Sequence, residues 1–161
     1  MLDPAKSSAD VSQKHFWGLV TVRGSFSELS GEGDVGADGS VTGTVRIGAA
    51  SVSTKNARRD KHLRSADFFD ADAHPYITFT ARDAKLDDAG NLLVSGDLEA
   101  GGTSRPLSVT AQVGQASADS ATLTASADVD KVDHGMTWGP MGMVKGPATA
   151  TVTARFTRQP A

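Results

Sequence analysis

The chain is 161 residues long, enough for one domain with a buried core and too short for two of ordinary size. Sixteen Lys and Arg against nineteen Asp and Glu leave a formal charge of −3, and there is no cysteine. That balance excludes the concentrated positive field that nucleic-acid binding requires, and the missing thiols exclude disulfides, thiolate metal sites and cysteine nucleophiles. No run approaches the roughly 20 apolar residues of a membrane span. The opening residues 1–6 contain no apolar stretch before a cleavage site, so the expected location is the cytoplasm, or the periplasm or exterior if the chain is a mature form.

Taken in chain order, an opening run from Ser8 to Phe16 and a second from Val20 to Phe26 are the first predicted strands. Gly31-Glu32-Gly33-Asp34-Val35-Gly36 spells GxGxxG, but it leads into the turn Ala37-Asp38-Gly39 rather than a helix. A dinucleotide site needs strand, glycines and helix in that order, so no cofactor is expected. Val41, Val45, Ile47 and Ala49 share one face of the next strand. Residues 56–65 give the one predicted helix, with Asn56 as N-cap, Asp60 and Arg64 as an i,i+4 pair, and Ser65 capping a second short turn that carries Phe68 and Phe69.

Beyond Pro75 the period is two. Residues 76–85 form a strand. Leu92, Val94, Gly96, Leu98 and Ala100 share a face, as do Leu107, Val109, Ala111 and Val113. Leu123, Ala125, Ala127 and Val129 follow, and then Ala148, Ala150, Val152, Ala154 and Phe156. Turn residues separate these runs closely enough for antiparallel hairpins. Eight strands, each with one dry and one wet face, predict a single all-β domain closed as a barrel or sandwich.

The dry faces are slim. Ala49, Gly96, Ala100, Ala111, Ala125, Ala127, Ala148, Ala150 and Ala154 stand where a solid core places Leu, Ile or Phe. Interiors pack to crystal-like density, so the barrel either flattens until its walls meet or keeps a hollow. A hollow lined by Ala, Val, Leu and Phe suits an elongated apolar guest, each buried methylene contributing ~0.8 kcal/mol.

The stretch Arg59-Asp60-Lys61-His62-Leu63-Arg64-Ser65-Ala66-Asp67-Phe68-Phe69-Asp70, followed by His74-Pro75 and Ile77-Thr78-Phe79, resembles the signature of the YceI-like family of polyisoprenoid-binding proteins. Leu2-Asp3-Pro4-Ala5-Lys6-Ser7, Lys14-His15-Phe16, Val22-Arg23-Gly24-Ser25-Phe26, Ala50-Ser51-Val52-Ser53-Thr54 and Gly102-Thr103-Ser104-Arg105-Pro106-Leu107 are similar to further family elements, so the likeness covers nearly the whole chain. The resemblance implies an extended, eight-stranded, lipocalin-like antiparallel β-barrel with one short helix plugging an end. It also implies a tunnel for an isoprenoid lipid, of the prenyl quinone or polyprenyl phosphate type, and a homodimer. Val129-Asp130-Lys131-Val132-Asp133-His134-Gly135 departs from the family pattern, with Lys for Arg and His for Phe, as does Asp10-Val11-Ser12-Gln13.

Residues expected to touch such a guest are His15, Phe16, Trp17, Phe26, Phe68, Phe69, Phe79, Leu98, Val109, Met136, Trp138, Met141 and Met143. Phe68 and Phe69 would chiefly plug one end. The glycine-hinged loop around Trp138 would serve as an adaptable lid or fold back into the barrel. Arg58, Arg59, Lys61, Arg64 and Arg105 would attract a polar head group or form a solvated face. His15, His62, His74 and His134 lack metal-ligand spacing, residues 128–132 fail the calcium-loop template, and no nucleophile–base motif stands out. No metal or catalytic residue is therefore expected. The competing expectation is a cyclase- or isomerase-like enzyme acting on a chain-like substrate in the same cavity.

Overall fold

The computed structural model describes residues 1–15, 20–35, 41–66, 68–129 and 148–158. Ten strands follow in chain order: β1 (Ser8–His15), β2 (Val20–Phe26), β3 (Leu29–Val35), β4 (Val41–Gly48), β5 (Val52–Ser53), β6 (Tyr76–Leu86), β7 (Asn91–Ala100), β8 (Thr103–Gly114), β9 (Ser120–Val129) and β10 (Ala148–Thr157). They form one sheet in the order β3-β4-β6-β7-β8-β9-β10-β1-β2-β5, and every pairing is antiparallel. The N-terminal residues show how far the sheet curls. Leu2 N–H donates to Gly31 O on β3 at 2.8 Å, while Asp3 N–H donates to Arg155 O on β10 at 2.7 Å. Neighbouring residues can reach an edge strand and the seventh strand of the row only if the sheet bends into a half-barrel.

The strand count corrects the expected eight. The two additions are β3 and β5. β3 carries Gly31 and Gly33 within an acidic run and was expected to lead into a turn. It pairs with β4 residue by residue from Leu29↔Ile47 to Val35↔Val41. Glycine is required there because a Cβ on Gly31 would lie 2.7 Å from Thr44 O, so the two backbones pack closer than side chains permit. β5 is two residues long, too short to show any period, and is defined by Ser25↔Ser53 and Phe26↔Val52.

Alternation fixes the inner face as expected on β7, where Leu92, Val94, Gly96 and Ala100 are buried and Leu93 is 49% exposed. On β6 the phase changes. Ile77 is buried and Phe79 and Ala81 are half-buried, then the register skips Arg82 against β7, and Ala84 becomes the next buried residue. A β-bulge inserts one unpaired residue and so returns an even-numbered position to the inside.

Buried residues form two clusters. One joins Leu2, Ala9, Phe26, Leu29, Val52, Ile77, Ala100 and Ala154, and the other joins Ala84, Leu92, Val94 and Ala111. The first lies under helix α1 (Ala57–Arg64) and its returning segment, which pack Leu63, Phe68 and Phe69 against it.

Candidate functional site

Following the pairings across the sheet shows what lines the interior. One rung runs Ala111–Ala125–Val152–Ala9–Phe26, from β8 to β2. The next runs Ala127–Ala150–Val11–Gly24 from β9 to β2. The other wall carries Val45–Phe79–Leu98 and Ile47–Ile77 across β4, β6 and β7. Each strand is an alternating ribbon, so partners in register present side chains to the same face. Along these rungs the inside is therefore asymmetric, with bulky side chains on β4, β6 and β7 and mostly Ala, Val and Gly on β8, β9, β10, β1 and β2, Phe26 at the end of β2 being the exception.

The slim wall is not sealed. Val11, Ala125, Ala127, Ala150 and Val152 all point inward, yet each is only half-buried. An inward alanine that retains accessible surface lacks a packing partner on one side. Among the described hydrophobic residues only Ala49, at 1%, falls below 2% exposure, so no large side chain is fully enclosed, and the only buried polar residue among the described residues is Thr54. What the wall offers is apolar contact.

Thr54 organises the plug. Its N–H and Oγ1 both donate to Asp60 Oδ1, at 2.8 and 2.5 Å. Its Oγ1 accepts from Arg59 Nε at 2.8 Å, and its carbonyl accepts from Arg59 Nη2 at 2.9 Å. The expected Asp60–Arg64 pairing is thus replaced by a turn of Asp60 back toward the strand end, where a buried hydroxyl and amide need an acceptor. Asn56 caps α1 as expected, its side chain accepting from Arg59 N–H at 3.1 Å. Ser65 ends the helix, its N–H donating to His62 O at 3.0 Å and its Oγ to the same carbonyl at 2.6 Å.

The segment then folds back on the helix. Phe69 N–H donates to Leu63 O at 3.0 Å and Ala71 N–H to Arg64 O at 3.0 Å, with Asp70 at φ 49 making the bend. These bonds aim the Phe-Phe pair inward. Phe69 meets Phe26 edge-on at 5.9 Å and Phe68 at 5.3 Å, geometries that aromatic quadrupoles favour.

Of the residues expected to meet a guest, Phe26, Phe68, Phe69 and Leu98 come together in the cluster beneath α1. Phe79 and Val109 join the second cluster. His15 ends β1 opposite Val20. Phe16, Trp17, Met136, Trp138, Met141 and Met143, and with them the expected lid, lie outside the described residues. Sequence reasoning missed Leu2 and Thr54. Leu2 is 4% exposed and closes the base of the first cluster, and its only sequence signal was its place in the Leu-Asp-Pro opening.

Three comparisons place this architecture among known proteins. The model described as the YceI-like domain matches residues 1–157. Protein YceI of Escherichia coli O17:K52:H18 is 43% identical over 69 residues, which is 43% of this chain and 36% of that protein. A UPF0312 protein of Shewanella baltica is 32% identical over 96 residues, 58% of this chain and 50% of its own length. The matched stretches thus span about a third to a half of those relatives. Among solved structures, Burkholderia cenocepacia BcnA superposes with a TM-score of 0.86 at 19% identity, covering 98% of this chain and 100% of its own. A polyisoprenoid binding domain from Saccharophagus degradans, implicated in plant cell wall breakdown, gives 0.78 at 16% identity, covering 98% and 97%. At these identities the superpositions show a shared fold.

Proposed function

The chain belongs to the YceI-like family, and from that premise we propose that it binds an amphiphilic isoprenoid lipid by its hydrocarbon chain, between the two walls of the curled sheet. The family and the fold support lipid binding, and a structural neighbour is described as polyisoprenoid-binding. The observation that carries the reading is the set of small inward residues that stay half-buried, Val11 on β1, Ala125 and Ala127 on β9, and Ala150 and Val152 on β10. Such a wall favours a guest that brings its own bulk and makes no hydrogen bonds. A prenyl quinone or a polyprenyl phosphate meets that description, since its chain is a train of methyl-branched alkene units with the polar group at one end.

The protein would then act as a carrier or store. In the described interior the buried side chains are apolar, and the one buried polar residue, Thr54, is committed to Asp60 and Arg59. Binding by hydrocarbon contact makes a length rule. Each added isoprene unit contributes about five carbons, at ~0.8 kcal/mol per carbon about 4 kcal/mol or up to roughly a thousandfold in affinity, until the available length is filled. Titration of delipidated protein with prenols of increasing length tests this, with affinity expected to climb and then plateau. A flat series, or equal affinity for a short polar alcohol, would remove the proposal.

A further inference from the structure

A second concavity lies on the opposite face of the sheet. Gln112, Val113, Gly114 and Gln115 from the end of β8, Thr122 and Thr124 of β9, Thr153 and Arg155 of β10, and Lys6 line a groove of about 680 Å³. Thr122, Thr124, Thr153 and Arg155 alternate with the inner residues Leu123, Ala125, Val152 and Ala154, so they project outward, yet all four are half-buried. The cover comes from the N-terminal segment, where the turn Pro4–Lys6 lies beside β10 and Ser7 Oγ accepts from Arg155 N–H at 2.9 Å.

The lining contains two cations and no carboxylate, in a chain whose formal charge is −3. Arg155 is held firmly. Its Nη1 donates to Gln115 O at 3.1 Å and Thr122 Oγ1 at 2.9 Å, and its Nη2 donates to Ser120 Oγ at 2.7 Å. Every one of those acceptors is neutral, and among the described residues no carboxylate forms an ion pair with the guanidinium and its Nε–H has no acceptor. Around the two cations stand three threonine hydroxyls and two glutamine amides, groups that both donate and accept. No aromatic ring lines the groove to stack a base, which disfavours a nucleoside.

The geometry points to a site for the phosphate ester of a small polyol, with Arg155 and Lys6 on the phosphate and Thr122, Thr124, Thr153, Gln112 and Gln115 on the hydroxyls. A volume of about 680 Å³ is within the ~300–1,000 Å³ of small-molecule sites. The ester could be a free metabolite or the head group of a phospholipid. Occupancy is independent of the interior, so failure here leaves the lipid-chain proposal standing, and the reverse.

Amide NMR titration of the whole protein with glycerol 3-phosphate, inorganic phosphate and glycerol tests the site. Saturable shifts are expected at residues 112–115, 122–124 and 153–155, with glycerol 3-phosphate binding at least about tenfold tighter than glycerol. Lys6→Gln should weaken the ester about three- to tenfold. Because Arg155 also anchors the β8–β9 turn, Thr124→Val supplies a milder arm, expected to weaken glycerol 3-phosphate and leave inorganic phosphate unchanged. Flotation with phosphatidylglycerol or phosphatidylcholine vesicles separates the sources, since binding confined to the former assigns a head group and soluble binding alone assigns a free ester. Shifts that fail to saturate, or that are indifferent to both substitutions, would overturn the site.

Discussion

Replacing Ala150 with Phe probes the vacancy directly. Ala150 faces inward on β10, half-buried, between Ala127 on β9 and Val11 on β1. None of its neighbours in that rung is large. The benzyl group would take up space for about four methylenes of guest, and at ~0.8 kcal/mol each the loss is roughly 3 kcal/mol, or more than a hundredfold in Kd. The same change has opposite consequences for stability in the two pictures of the interior. If the walls already touch, overpacking should cost about 1–3 kcal/mol. If a hollow is present, the ring gains apolar contacts and the delipidated protein should melt no lower than the parent. The assay pairs a thermal melt of delipidated Ala150→Phe with a prenyl quinone titration. A fall in melting temperature together with unchanged binding would refute the reasoning.

Other substitutions test the parts that frame the interior. Thr54→Val should destabilise the protein by about 1–3 kcal/mol in chemical denaturation, because it removes the hydroxyl shared by Asp60 and Arg59. Asn56→Ala should cost about 1 kcal/mol by loss of the cap on α1, read in the same experiment. Gly96→Ala would place a Cβ 2.2 Å from Thr80 O and 2.9 Å from Phe79 Cζ, so a loss of at least about 2 kcal/mol or failure to fold is expected. Leu93→Thr, on the outer face of β7, should change stability by less than about 0.5 kcal/mol, and a large loss would mean that the inner and outer faces are misassigned.

Much of this fold was legible because alternation reports directly on facing. The apolar positions of β7, β8, β9 and β10 could be read from the period of two, and Asn56 and Ser65 bracketed the helix through chemistry local to the chain. β3 was illegible for the opposite reason. Its glycines are demanded by the closeness of β4, a partner that a local reading does not see, and Gly31 and Gly33 by themselves suggest a turn. The bulge at Arg82 likewise leaves no composition signal, and only the register with β7 shows that Ala84 rather than Asp83 faces in. In the plug, Asp60 was expected to pair with Arg64 one turn on. Spacing favoured Arg64, whereas the structure gives Asp60 to Thr54, since an unsatisfied buried hydroxyl and amide cost more than an exposed ion pair returns. The candidate site was half legible. Aromatic residues could be named, but that Phe26, Phe68, Phe69 and Leu98 share one cluster while Phe79 and Val109 share another depends on the curl of the sheet.

Native mass spectrometry of the protein purified without detergent, followed by organic extraction, reaches the central claim most directly. A mass increment that disappears on extraction, matched by an isoprenoid in the extract and restored by adding a prenyl quinone to the stripped protein, is the predicted result. A clean polypeptide mass under gentle ionisation, with no uptake of added quinone, would contradict it.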